Sequence, residues 1–251
     1  MMTHSFGSFC DGLFVDMCIN TQLELPSSRE TVLAFFERLQ KQNPDMNNFA
    51  RRDTGEYVLE QENDDRRERW VSLESDRIVV GCADPDDLQQ AYLLHNQVLE
   101  LIPYMLGVSP LDTDAMDITF TMDFDYQGNH DEIIAEALLS GSGFGSLYEQ
   151  AHSRAVSCCP SMVIGLSDDC RLQARVAVES RSNIFDVRSE KYKSDDPISL
   201  YFAVRRYPQP GPEFDMLTAY QEQCRIAEQM MFERIIPNFA QPLNSAIAQR
   251  R

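Results

Sequence analysis

An α+β fold built from two β-α-β-β-β-α repeats is what this sequence predicts, its strands forming a mostly antiparallel curved sheet with helices packed on one face. Three observations carry the prediction. Two segments alternate apolar and polar residues at the two-residue period of a half-buried strand. Each is followed by an amphipathic segment that opens on a helix cap. Each then runs through three short strand-like segments into a long apolar helix with an Ile-Pro step near its end.

The alternation is clearest from Met116 to Tyr126. Met116, Ile118, Phe120, Met122, Phe124 and Tyr126 take one face, and Asp117, Thr119, Thr121, Asp123 and Asp125 the other. Leu13–Leu23 repeats the pattern, with Leu13, Val15, Met17 and Ile19 opposed by Asp16, Cys18 and Asn20. In the segment that follows, Ser27 or Ser28 is the cap, and Val32, Phe35, Phe36 and Leu39 recur at helical spacing. After the second alternating strand, Asn129 is the cap, Glu132 lies three residues on, and Ile133, Ala137 and Leu138 form the stripe.

The short strands of the first repeat are expected at Glu56–Gln61, Arg69–Ser75 and Arg77–Ala83, with the charged run 62–69 as a turn. Those of the second are expected at Ser161–Leu166, Arg171–Arg181 and Ile198–Tyr207, the last two joined by a long polar connection. Asp84-Pro85 reads as N-cap and first-turn proline of the first closing helix, Leu88–Leu106. The second closing helix runs from about Asp215 to Ile247. Pro103 and Pro237 lie late in these helices, where a missing N–H kinks or restarts the helix. The expected boundaries are an N-terminal segment at 1–12, a first repeat at 13–109 and a second at 115–251, in one globular unit.

The chain has 251 residues, with 22 Lys and Arg against 40 Asp and Glu, so its net charge is −18. Such a surface repels phosphate backbones and anionic lipid heads, which speaks against nucleic-acid and membrane partners. No apolar run reaches the length of a membrane span. Residues 1–12 lack a basic region followed by an apolar one, so the expected location is the cytoplasm. The seven cysteines are irregularly spaced and include no C-x-x-C pair. They read as small buried hydrophobes, and neither a metal nor a cofactor is expected.

Two continuous halves joined edge to edge, with one face of the sheet left open, resemble the duplicated fold of the TATA-box-binding protein and its structural relatives. The resemblance is one of topology over residues 13–247 and brings no function with it. The opening Thr-His-Ser-Phe-Gly-Ser-Phe-Cys-Asp-Gly (residues 3–12) is similar to that of a bacterial protein family to which no activity is attached.

The open sheet face supplies the candidate binding residues: Asp117, Asp123 and Asp125 on one strand, with Arg171, Arg175, Arg205 and Tyr207 on later strands. Cross-strand acid–arginine pairs stabilise a sheet, and a solvated, salt-laced face is the bland reading. The alternative is a surface whose arginines hold an anion or an acidic segment. A divalent cation fits poorly, because alternate residues on a strand stand about 6.6 Å apart and one strand offers at most two ligands. His130, beside Asp131 at a helix start, is the remaining candidate. No nucleophile elbow accompanies it, and Ser140–Gly145 lacks the Lys-Ser/Thr of a phosphate loop. Ile226, Met230, Met231, Ile235 and Phe239 form a stripe suited to core packing or to an adaptable contact surface. The expected function is a non-enzymatic binding or protein-interaction role, with a protein partner or homodimer, through the polar face or the long helices. The alternative is a small-molecule binder or enzyme with its site between the repeats.

Overall fold

The computed structural model describes residues 9–61, 68–193, 196–209 and 214–250. These residues build a single antiparallel sheet of nine strands. The strands are β1 (Gly12–Thr21), β2 (Met46–Arg51), β3 (Tyr57–Gln61), β4 (Arg69–Leu73), β5 (Arg77–Ala83), β6 (Thr113–Phe124), β7 (Ser161–Gly165), β8 (Leu172–Glu179) and β9 (Ile198–Arg206). Their order across the sheet is β2-β3-β4-β5-β1-β6-β9-β8-β7.

Period-two alternation decides which face each residue meets. One row crosses the whole sheet: Phe49, Leu59, Val71, Val80, Met17, Ile118, Val204, Ala174 and Ile164 are successive cross-strand partners. Its seven inner members are buried, and only the two ends are exposed. Helices cover this face. They are α1 (Arg29–Gln42), α2 (Leu88–Met105), α3 (His130–Leu139), α4 (Ile184–Ser189), α5 (Met216–Met230) and α6 (Gln241–Arg250). Helix α2 packs on β1 and β5, and α5 on β6 and β9.

Side chains at the helix ends follow the capping rules, with one change from the sequence expectation. Ser28 caps α1 by accepting from Thr31 N, and Asn129 caps α3 by accepting from Asp131 N. Asp87, not Asp84, caps α2, accepting from Gln90 N at 2.9 Å. Asp84 is unavailable because its carboxylate accepts from Leu13 N at 2.8 Å, tying the end of β5 to the start of β1.

Two elements were not foreseen. Strand β2 reads Met-Asn-Asn-Phe-Ala-Arg, which has neither alternation nor strand propensity. Pairing with β3 and the packing of Phe49 against Phe36 (5.2 Å) and Tyr57 (6.4 Å) hold it in place. Helix α4 lies within the long polar connection before β9 and carries a reciprocal capping box between Asn183 and Asp186. Of the expected charged turn, residues 62–67 lie outside the described residues.

The last helix is not uniform. Between α5 and α6, Met231–Ala240 is a π-helix that contains Pro237. Proline lacks the N–H of an i→i−4 bond, so a widened turn is one way to carry the helix through it. Pro103 lies within the last turn of α2, which ends at Met105. Among the described residues no helix is long and apolar enough to cross a membrane.

Candidate functional site

The open face begins with Asp117 on β6. It lies directly across from Arg205 on β9, and the pair is bidentate. Arg205 Nε and Nη2 donate to Asp117 Oδ1 and Oδ2, each at 2.7 Å. Asn20 Nδ2 donates weakly to the same carboxylate at 3.4 Å, and the guanidinium sits 5.9 Å from the Tyr207 ring centroid. The hydrogen bonds to Asp117 hold the Arg205 proton more tightly than usual. Asp117 is buried while Arg205 is half exposed. We therefore expect Arg205→Gln to cost about 1–2 kcal/mol in a urea melt at neutral pH, below the figure for a fully buried pair because water screens the guanidinium.

The other candidates disperse. Asp123 accepts from Ser199 Oγ at 2.7 Å, six residues along β6 from Asp117, a separation of about 20 Å along a strand. Asp125, just beyond β6, donates its backbone N–H to Asp11. Arg171 donates to the Pro208 carbonyl at 2.9 Å, while its own carbonyl accepts from Tyr207 N. Arg175 is exposed beside Ala203 and Val163. These residues do not converge on one point.

His130 is buried, and both ring nitrogens are engaged with backbone. One lies 2.8 Å from the Tyr126 carbonyl, and the other accepts from Arg181 N at 3.2 Å. That arrangement uses the neutral ring, and burial lowers its proton affinity further. Its role here is to hold the start of α3 to the end of β8. Burial also pushes the thiols of Cys10, Cys18 and Cys224 up to about 12, and those of Cys82 and Cys158 to about 11. Such thiols stay protonated and are poor nucleophiles. Among the described residues no group of three His, Cys, Asp or Glu side chains is placed to hold a metal ion.

Two further features stand out. The first is Asp16 on the open face of β1. Its cross-strand neighbour on β5 is Gly81, which in turn faces Trp70 on β4. The indole leans across the glycine. A Cβ at position 81 would lie 2.0 Å from the Trp70 ring and 2.4 Å from Asp16 Oδ1. Asp16 Oδ1 is buried with no hydrogen-bond partner among the described residues, and so is Ser72 Oγ on β4. Burial alone pushes the Asp16 carboxyl up to about 7. Beside Trp70 opens a hollow of about 410 Å³, walled by Phe14, Val58, Ser72 and Val79. Alternation placed Asp16 on this face, but nothing local announced Gly81 and Trp70 as its neighbours.

The second feature is on the helix side. Strand β7 is one of the two edge strands of the sheet, and all five of its residues are exposed. Beside it runs a groove of about 650 Å³, with Met162, Ile164 and Val176 on the sheet wall and Ile226, Met230 and Phe239 on the helix wall. Of the stripe residues, Met231 is buried in the core, whereas Ile226, Met230, Phe239 and the buried Ile235 line the groove.

Compared with protein-family models and with curated proteins, the chain matches none.

Proposed function

We propose that this chain is a protein-interaction protein that takes an extended apolar segment of another protein as an additional strand on β7, with that segment's side chains entering the groove. One observation carries the reading. Counted outward from the β1–β6 seam along the same row, Leu59 and Ile164 are each the fourth residue on their side. Leu59 is 2% exposed and Ile164 is 44% exposed. The difference is that Leu59 has β2 beyond it, where Phe49 packs between Phe36 and Tyr57. Beyond Ile164 there is no strand among the described residues.

Strand β7 is short but lacks two other common edge protections within its span. Ser-Met-Val-Ile-Gly contains no charge and no proline. Strand addition would use its backbone for affinity and the groove for side-chain selection. The occupant we favour has a large apolar residue where β2 has Phe49, and basic flanks. The net charge of −18 would steer such a segment inward.

The two halves are also read as one unit used twice. Asp87, Ala91, Tyr92 and His95 on α2 fall at the same spacing as Asp215, Ala219, Tyr220 and Gln223 on α5. Asp87 and Asp215 are both N-caps. Gln223 donates to the carbonyls of Met116 and Val204, and the His95 ring lies against the backbone of Val15 and Val80. The two Ile-Pro steps do not share this spacing. On this reading β2 is an addition to the first half, and the partner supplies its counterpart to the second.

The test uses methionine methyl NMR with a panel of extended peptides that carry alternating apolar residues and lysine flanks. The expected result is saturable shifts at Met162 and Met230, with affinity reduced at least tenfold by Ile164→Asp. Peptides that bind without moving either methyl, or that ignore Ile164→Asp, would overturn the proposal. A dimer in light scattering that Val163→Lys dissolves would instead make the occupant a second copy.

A further inference from the structure

Three aspartates face the open side from the two strands β1 and β6: Asp117 has a counter-ion, Asp123 accepts from Ser199 Oγ, and Asp16 Oδ1 has no partner among the described residues. Asp117 on β6 lies across from Arg205, which binds it bidentately. Asp16 on β1 lies across from Gly81, which brings no side chain. Instead the Trp70 indole covers the glycine and borders Asp16 Oδ1, which is buried without a partner. A buried carboxylate is tolerated when it is paired, and an unpaired one invites a functional explanation.

The surroundings say what kind of partner fits. The hollow beside Trp70 has Ser72 Oγ in its wall, a second buried polar atom without a partner. Phe14, Val58 and Val79 supply apolar contact. The rim carries Glu56, Glu60, Glu68 and Glu74, against Arg52 and Arg69. Arg52 pairs with Glu56 and Glu60, Arg69 with Asp45, and Glu74 with Arg77, so the rim carries more carboxylates than guanidinium groups although most of its charges are paired. Acidic rim, aromatic wall and buried acceptors together suit a cation with an apolar stem. They do not suit an anion.

We propose that this hollow is a binding site for a guanidinium or primary ammonium group, with Asp16 as its counter-ion and Trp70 as its aromatic wall. The indole borders the hollow and also the space over Gly81 next to Asp16 Oδ1, so the proposed site requires the indole to turn off Gly81. The incoming cation then does for Asp16 what Arg205 does for Asp117. Glycine at position 81 leaves room for that exchange, because any side chain there would meet the indole. The site is separate from the β7 edge and stands whether or not the strand-addition reading does.

Trp70 is the only tryptophan in the chain, so its fluorescence reports on this site alone. The full chain would be titrated with butylguanidinium chloride and with butylammonium chloride, at ionic strength held constant with sodium chloride. The expected result is a saturable change in Trp70 emission, with affinity at least tenfold weaker in Asp16→Asn. Circular dichroism would verify that this variant is folded. An unaltered curve in Asp16→Asn would overturn the proposal, as would a change that sodium chloride alone reproduces. A blocked tetrapeptide with one arginine distinguishes the source. Binding at least tenfold tighter than butylguanidinium points to a protein side chain, and equal or weaker binding to a free small cation.

Discussion

Asp16→Asn is expected to stabilise the fold by about 2–4 kcal/mol at pH near 8 and to change it by less than about 1 kcal/mol at pH near 3. The argument is one of proton linkage. In the unfolded chain the carboxyl titrates at its ordinary 3.8, whereas burial on the open sheet face raises it to about 7. Below the lower value both states are protonated, and Asp16 has no pH effect. As pH rises from 3.8 to 7 the unfolded chain releases its proton while the folded one holds it, so stability is lost. Above 7 the loss is complete, because the native state then carries an unpaired buried carboxylate. The lower end of the range allows for the part of Asp16 that water still reaches. Asparagine keeps the shape and removes the charge. Urea unfolding of both proteins across this pH range measures the difference. Equal stabilities at pH near 8 would show that Asp16 has a partner in solution. A carboxylate retained at such a cost is in keeping with a functional site.

Acidification acts through His95 with the opposite sign. This residue of α2 is fully buried between helix and sheet, with Nδ1 2.6 Å from the Tyr220 hydroxyl of α5. Its other nitrogen has no partner at hydrogen-bond geometry, although the ring lies against the backbone of Val80 and Val15. Burial lowers its proton affinity from 6.5 to about 3. The folded state therefore refuses a proton that the unfolded chain accepts. Stability is fully present above pH 6.5 and falls as pH drops towards 3, by as much as about 5 kcal/mol at about 1.4 kcal/mol per pH unit. His130 is shifted in the same direction and adds to the acid limb. His95→Gln is expected to lose about 1–2 kcal/mol at neutral pH through the Tyr220 bond and to flatten that limb. Because Asp16 and His95 oppose one another between pH 3.8 and 6.5, the unmodified protein should be less pH-sensitive there than Asp16→Asn, which should show the steeper acid loss. A His95→Gln profile parallel to that of the unmodified protein would remove His95 from the account.

How much of this was legible beforehand follows from the range of each interaction. The alternation from Met116 to Phe124 and from Leu13 to Ile19 identified β6 and β1, because a strand's two faces are set by neighbouring residues alone. Helices α1 and α3 were legible for the same reason, since stripe and cap lie within a few residues of one another. The polar character of Asp16, Asp117 and Asp123 was therefore determined by the sequence itself.

Strand β2 escaped notice because Met-Asn-Asn-Phe-Ala-Arg has no local reason to be extended, and distant packing on Phe36 and Tyr57 supplies the reason. The cap of α2 moved from Asp84 to Asp87 because Leu13, far away in the chain, claims Asp84. Nor could the sequence say that Arg205 would neutralise Asp117 while Gly81 left Asp16 without a cross-strand side chain. That difference depends on which strands pair and in what register, and register is a property of the assembled sheet. The same holds for β7, which looked like any other short apolar strand. The sequence by itself determined which segments are strands and helices and which side of each is polar, because periodicity and capping act over a single turn or pleat. Only the tertiary structure decided which strands lie at the edges of the sheet and which carboxylate has no counter-ion among the described residues, because both are set by residues tens of positions apart.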